Sequence, residues 1–201
     1  MSWIARIPVA CAQGELRKLY GRVRGPSGEV DNIMQLHSLR PHTLMAHMTL
    51  YKSVLHHTGN RLPKWFLETI GVYVSLLNDC DYCVEHHFAG LRRLLDDDER
   101  ATLLRESLAS GDFGGSLEPR HQAAIEYSAK LTREPASVRE SDVASLRAAG
   151  WDDGEILEIN QVVSYFAYAN RTVLGLGATT EGDTLGLSPR DAHDPDNWTH
   201  L

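Results

Sequence analysis

An all-α chain is what this sequence predicts, and three observations carry the prediction. Apolar residues recur at three- and four-residue steps along almost every segment. Pro, Gly and Asp clusters punctuate those segments where helices start and stop. No run alternates apolar and polar residues between hairpin turns, so strands are not expected. At 201 residues the chain has the length of one ordinary domain, which buries roughly 70% of its unfolded surface and folds without a staple.

The elements follow in order. Residues 13–23 form a first helix, ended by the turn Gly25-Pro26-Ser27-Gly28. Pro41 suits the first turn of a second helix, on which Leu44, Met48, Tyr51 and Leu55 share a face, and Gly59 closes it. Pro63 opens a third, with Phe66, Ile70, Tyr73 and Leu77 as its apolar stripe. Asn78 and Asp79 interrupt that stripe, and Asp79 is expected to N-cap a fourth helix running through Leu91 and Leu95 to Asp96-Asp97-Asp98. Residues 99–108, 119–131 and 138–149 read as three more helices.

Gly150 suits a C-cap, and Asp152 or Asp153 starts the last long helix. Ile156, Ile159, Val163, Phe166 and Ala167 mark its buried face, and it ends near Gly175. The whole of 1–201 is expected to be a single domain with its core in 30–180. Residues 181–201 form a polar tail rich in Gly, Pro and Asp. Trp198 in that tail is costly to expose, so the tail is expected to dock on a neighbouring subunit of a homo-oligomer.

The formal charge is -7, with acidic and basic residues interspersed. Neither that sign nor the absence of a basic block suits nucleic acid. No uncharged apolar run reaches membrane-spanning length. Residues 1–11 are broken by Arg6 and Pro8 and lack the apolar core of a signal peptide, so a cytoplasmic location is expected. The three cysteines are too few for a secreted disulfide scaffold. Cys11 has no partner nearby and is expected to be a small buried residue or a free thiol.

Chemistry concentrates in Cys80-Asp81-Tyr82-Cys83, followed by His87 and preceded by Glu68. On a helix the spacing sets Cys80, Cys83 and His87 along one face, within side-chain reach. Two such thiols can close into a disulfide and reopen, and an imidazole can hold one of their protons. Zinc is the competing reading: Cys80, Cys83 and His87 would supply three ligands, with Glu68 or His86 as a fourth. No second C-x-x-C or H-x-x-x-H pair completes that pattern, so redox work is the stronger expectation.

The residues leave the nucleophile open. A helix N-terminus favours a thiolate at Cys80, whereas the i+4 position of His87 favours Cys83. Asp79, Asp81 and Glu85 oppose either thiolate. Glu68 sits in the apolar run 66–73, where a buried carboxyl is expected to have a raised pKa and to exchange protons with the next helix. His37, His42, His47, His56 and His57 lack the spacing of a zinc-binding helix and are expected at the surface or as caps. His86 lies about 100° around the helix from His87 and is expected to point away from the thiol face. Asn170 and Arg171 are expected to be structural glue.

Glu68, eleven intervening residues, then Cys80-x-x-Cys83-x-x-x-His87 resembles the signature of the alkylhydroperoxidase D-like branch of the carboxymuconolactone decarboxylase superfamily. The run 78–83 and the late helix with Tyr165, Phe166, Asn170 and Arg171 resemble its peroxidase-related subgroup. The likeness extends from the Pro41 helix to Gly175. It implies a helical bundle assembled as trimers or hexamers. It also implies a thiol-dependent peroxidase that reduces a hydroperoxide and is restored by an external dithiol reductant, without haem, flavin or metal.

The same resemblance implies Cys83 as the peroxidatic thiol, Cys80 as the resolving one, and His87 and Glu68 as proton carriers. Where the family carries a relay histidine, this chain has Tyr82, a candidate relay whose ordinary pKa of about 10 makes it a poor base. Decarboxylases of the superfamily generally lack the cysteine pair, so the lactone reaction is not implied. The alternatives are a redox-sensing or non-catalytic protein that keeps the thiols, and a zinc-stabilised structural protein.

Overall fold

The computed structural model describes residues 2–189, and among them every regular element is helical, as the periodicity predicts. Helix α1 spans Gly14–Arg22, a short α2 spans Asn32–Leu36, and α3 spans Pro41–Tyr51 with Pro41 in its first turn. The chain then loosens into one π-helical stretch, Lys52–His56. Helix α4 covers Lys64–Leu77, α5 Asp81–Leu95, α6 Asp98–Ser110 and α7 Pro119–Arg133. Helix α8 covers Glu140–Ala148, and α9, the longest, covers Asp153–Leu176.

Most boundaries follow from local chemistry. Asp152 accepts from the Glu155 N–H at 2.9 Å while Glu155 accepts from the Asp152 N–H at 3.0 Å, a reciprocal cap that starts α9. Asp97 caps α6 through the Arg100 N–H at 3.0 Å. Two sequence expectations need correction. The helix expected from Pro41 to Gly59 changes to wider π geometry after Tyr51, and the widened turn carries Val54, Leu55 and His56 into the interior. Asp79 does not cap α5: it takes a left-handed conformation (φ 53°), and Cys80 is the N-cap residue.

Helix α4 is the hub. Every residue from Phe66 to Ser75 is buried, so it presents apolar surface all round instead of one stripe. Helices α5, α9, α7 and α6 surround it. At one end Phe66 stacks on Trp151 with centroids 5.6 Å apart, and the Trp151 ring N–H donates to the Arg120 carbonyl at 2.8 Å. At its middle α4 meets α9 so closely that only glycine fits. A Cβ on Gly71 would lie 2.2 Å from the buried Phe166 ring.

Residues 181–189, the start of the expected tail, pack on their own chain. Asp183 reaches α2 and α5, and Gly186 presses on the backbone at Ala89 and Gly90. Trp198 lies outside the described residues.

The α4–α9 contact yields a prediction of sign. Gly71→Ala should destabilise the protein by about 1–3 kcal/mol, because the strain of overpacking outweighs alanine's better helix propensity. Gly21→Ala, in an exposed turn of α1 where a Cβ meets nothing within 4 Å, should be neutral or stabilising by up to about 1 kcal/mol. Denaturant midpoints of the two variants check both signs.

Candidate active site

The site begins where α4 hands over to α5. The Cys80 N–H donates to the Ser75 carbonyl at 2.9 Å and the Asp79 N–H to the Leu76 carbonyl at 3.2 Å. These are the paired bonds of a Schellman stop, with Asp79 as the left-handed residue. Such a conformation costs roughly 1–2 kcal/mol for most residues but is tolerated by Asp. The stop sets Cys80 at the N-cap of α5 and Cys83 in its first turn. Both thiols are reduced and buried, at 0% and 2% exposure.

The two thiols bias each other's proton affinity. The neighbouring Cys83 thiol lowers the Cys80 pKa most; burial opposes this, and the Cys83 backbone and the Asn170 side chain add to the lowering. Cys80 makes no geometrically formed side-chain cap bond, so the backbone contributes as a nearby dipole. The Cys80 side chain raises Cys83 well above its ordinary value, with burial adding to it. Of the two, Cys80 is the thiol whose ionisation the site favours.

Asn170 is more than structural glue. It is fully buried, donates to Ser75 Oγ at 3.0 Å, and accepts from the Asn78 side chain at 2.9 Å. Its side chain also lowers the pKa of both cysteines. A polar residue in step with Ile159, Val163 and Phe166 on the buried face of α9 was the sequence signal for it. Arg171, one residue on, is exposed and donates to the Ala167 carbonyl at 2.7 Å.

Glu68 on α4 and His87 on α5 meet at 2.7 Å through Oε2 and Nδ1. Burial pushes the Glu68 carboxyl up, but the charge and hydrogen bond of His87, helped by His56 and Arg93, bring it below its ordinary value. The raised carboxyl pKa expected from the apolar run is thus corrected: the partner imidazole outweighs the desolvation. Phe166 lies edge-on to His87 with centroids 4.6 Å apart, and Glu68 occupies the Nδ1 side of the ring. The opposite nitrogen is left for exchange.

Cys83, Glu68 and His87 all line one cavity of about 180 Å³, together with Tyr51, His56 and Tyr165. Cys80 is not part of its wall. A cavity of about 150 Å³ takes benzene, so a small organic molecule fits. Burial first, then neighbouring charge, holds the Tyr51 and Tyr165 phenols well above their ordinary range, so they stay neutral. Among the described residues no group of three or more His, Cys, Asp or Glu side chains is arranged to hold a metal.

Other histidines depart from expectation. His47 and His56 are buried, not at the surface, because α3 and the π stretch turn that face inward, whereas His37, also buried, is the C-cap residue of α2 as the cap reading allows. His42 and His57 are exposed. His86 lines the same cavity as Cys83, not an opposite face. Of the two readings of Cys11, the exposed free thiol is correct.

Tyr82 and His86 serve a tether invisible in the sequence. Asp183 accepts from the Tyr82 hydroxyl at 2.7 Å, lies 3.2 Å from His86 Nε2, and accepts the Asn32 N–H at 3.0 Å with both oxygens. The Tyr82 oxygen also accepts the Ile33 N–H at 3.1 Å. Burial, then the Asp183 and Asp31 carboxylates, holds the Tyr82 phenol well above its ordinary value. This tyrosine stays protonated, donating one hydrogen bond and accepting another. The tether straps 183–188 across the cavity: Gly186, at φ 75°, would set a Cβ 2.8 Å from Ala89, and Leu187 and Ser188 complete the wall.

Hydrogen exchange separates the two halves of the tether. Tyr82→Phe should speed exchange at the Ile33 amide and leave Asn32 largely protected. Asp183→Ala should speed exchange at Asn32, because both bonds to that amide come from one carboxylate.

No family model and no curated protein sequence matches this chain. Solved structures do. An uncharacterised peroxidase-related protein from Silicibacter sp. TM1040 is 26% identical with a TM-score of 0.74, over 89% of this chain and 91% of that one. A peroxidase-related protein from Ralstonia eutropha JMP134 with an alkylhydroperoxidase AhpD core is 24% identical with a TM-score of 0.76, over the same shares of 89% and 91%. A variant of the debrominase Bmp8, in complex with 2,3,4-tribromopyrrole, is 15% identical with a TM-score of 0.65, over 84% of each chain. The chain thus shares the helical fold of these peroxidase-related proteins, the fold that the resemblance at Glu68, Cys80, Cys83 and His87 implies.

Proposed function

We propose that this protein is a thiol-dependent peroxidase that cycles Cys80 and Cys83 between dithiol and disulfide. The observation that carries the reading is access: Cys83 lines the cavity beside His87, while Cys80, at the N-cap of the same helix, is not part of that wall. The cycle begins with transfer of one proton from the cysteine pair to His87, which Glu68 orients, leaving one proton between the two sulfurs. When the shared proton sits on Cys80, the Cys83 thiolate attacks the terminal oxygen of a hydroperoxide. The O–O bond breaks, Cys83 becomes a sulfenic acid, and the alkoxide takes a proton from His87 and leaves as an alcohol.

The Cys80 thiol then attacks the sulfenic sulfur. The S–S bond forms, and hydroxide leaves with the Cys80 proton as water. An external dithiol reduces the disulfide and returns the starting pair. Glu68 stays ionised throughout, orienting the imidazole and stabilising its charged form in place of acting as the acid itself. Asn170 supports the negative charge on either sulfur in turn.

A redox-sensing role is the second reading. It is favoured by the full burial of both thiols and the small cavity, which suit a single oxidation better than rapid turnover. Steady consumption of hydroperoxide with excess dithiol separates the two, since a sensor stops after one equivalent. The debrominase neighbour makes a brominated pyrrole a worthwhile competing substrate in that assay.

The cycle assigns distinct outcomes to each variant. Cys83→Ser should abolish the first oxidation, and Cys80→Ser should leave a trappable sulfenic acid on Cys83. Glu68→Gln should slow turnover by roughly 10²–10⁴-fold, the scale for loss of a supported acid–base group. Sulfenic acid trapped on Cys80 in Cys83→Ser, with none on Cys83 in Cys80→Ser, would reverse the assignment.

A homo-oligomer, trimeric or hexameric, belongs to the same proposal. Met45 on α3 and Leu157, Tyr168 and Leu174 on α9 are exposed apolar side chains that a second copy would cover. Sedimentation at micromolar concentration should give a multiple of the 22.4 kDa chain mass, and a monomer mass would remove this part of the proposal.

A further inference from the structure

The cavity at Cys83 has two cations on its wall. Lys64, the first residue of α4, and Arg93, in the last turn of α5, both line it. Both are exposed, and neither is ion-paired or hydrogen-bonded among the described residues. Several other basic side chains on this surface are matched: Arg61 meets Asp152, Arg92 meets Asp98, Lys130 meets Asp142 and Arg147 meets Asp153. In a chain of formal charge -7, two cations without an ion pair share the wall of the cavity that holds Cys83.

Their charge reaches the reacting groups. Arg93 bears on both Glu68 and Tyr51, deep in the same cavity. The cavity's two carboxylates lie deeper than these cations: Glu68 is buried and held by His87 at 2.7 Å, and Asp31 is buried at 8% exposure, whereas Lys64 and Arg93 are exposed. Inside this rim the wall turns apolar and aromatic, with Ile33, Met34, Leu187, Tyr51 and Tyr165. A ligand entering there meets positive charge first and apolar surface second.

We propose that the cavity takes an anionic organic molecule, a small apolar or aromatic hydroperoxide that carries a carboxylate. Arg93 and Lys64 hold the carboxylate at the mouth, where a guanidinium can accept it in bidentate fashion. The apolar body fills the interior, whose volume suits a single ring or a short alkyl chain. The hydroperoxyl group is then directed at Cys83, and the product is the corresponding hydroxy acid. The reaction rests on the thiol-peroxidase reading, but the charge preference of the cavity does not.

Alkylation of Cys83 tests the preference without any peroxide. Iodoacetate and iodoacetamide are nearly isosteric, and each forms an S–C bond and releases iodide; they differ in charge. The ratio of their rates at Cys83, located by fragment-ion mass and divided by the ratio for 2-mercaptoethanol, reports the field at the thiol. At low ionic strength the normalised ratio should favour iodoacetate by about 3- to 30-fold, and it should shrink towards unity in ~0.5 M salt. Lys64→Gln with Arg93→Gln should abolish the preference, whereas Arg93→Lys should keep most of it, with folding checked by circular dichroism.

A wild-type ratio equal to the reference thiol, or one unchanged in the double variant, overturns the proposal. A parallel assay compares kcat/KM for a carboxylate-bearing hydroperoxide with that for its methyl ester. If iodoacetate is preferred but neither hydroperoxide is consumed, the anionic site stands and the peroxidase reading falls. Faster turnover of the ester than of the acid overturns the substrate class.

Discussion

Two residues, Asn78 and Asp79, separate the end of α4 from the N-cap of α5, and the position of every reactive group follows from that short link. With so little chain between them the helices must lie side by side, and the Schellman bonds from Cys80 and Asp79 leave their angle little freedom. The turn holds Cys80 still and points the first turn of α5 into the interior. It also brings Glu68, near the start of α4, level with His87 in the middle of α5. A longer or looser link would leave the thiols helical but would not bring the carboxylate to the imidazole.

Burial in this site would be costly if each polar group stood alone. An isolated buried carboxylate or thiolate would take up a proton, since desolvation penalises the charged form. Pairing resolves the conflict in both places. His87 keeps Glu68 ionised in spite of its burial, and the Cys83 thiol and the Asn170 amide support a negative sulfur. The result is a buried site in which a carboxylate is kept ionised beside an imidazole and a negative sulfur finds support from a neighbouring thiol and an amide.

The strap at 183–188 gives the cavity its outer side. Asp183 is a carboxylate with three donors converging on it, and its position depends on Tyr82 and His86 from the same helix turn that carries Cys83. Tyr82 therefore links the thiol helix to the cavity wall. Its hydroxyl donates to Asp183 and accepts the Ile33 N–H, so one side chain joins α5 to both α2 and the strap.

Much of this molecule is determined by the sequence alone. Three- and four-residue apolar spacing specifies helices whatever their neighbours are, and Pro41, Pro63 and Asp152 mark helix starts through backbone sterics and capping. The C-x-x-C spacing and His87 one turn on are likewise local, so the thiol centre was legible before any fold was known. Proton affinities were not, because they depend on which groups meet. The carboxyl of Glu68 was expected to rise on burial and instead falls, since an imidazole from another helix stands 2.7 Å away. Asp79 was expected to start α5, but its backbone is committed to ending α4. Asp183 carries no local signal at all: an acidic residue in a Gly-rich tail becomes a buried tether only when α2 and α5 present three donors to it. Sequence spacing determined which side chains share a helix face; tertiary packing decided which faces met, and with them the charges, the cavity and its wall.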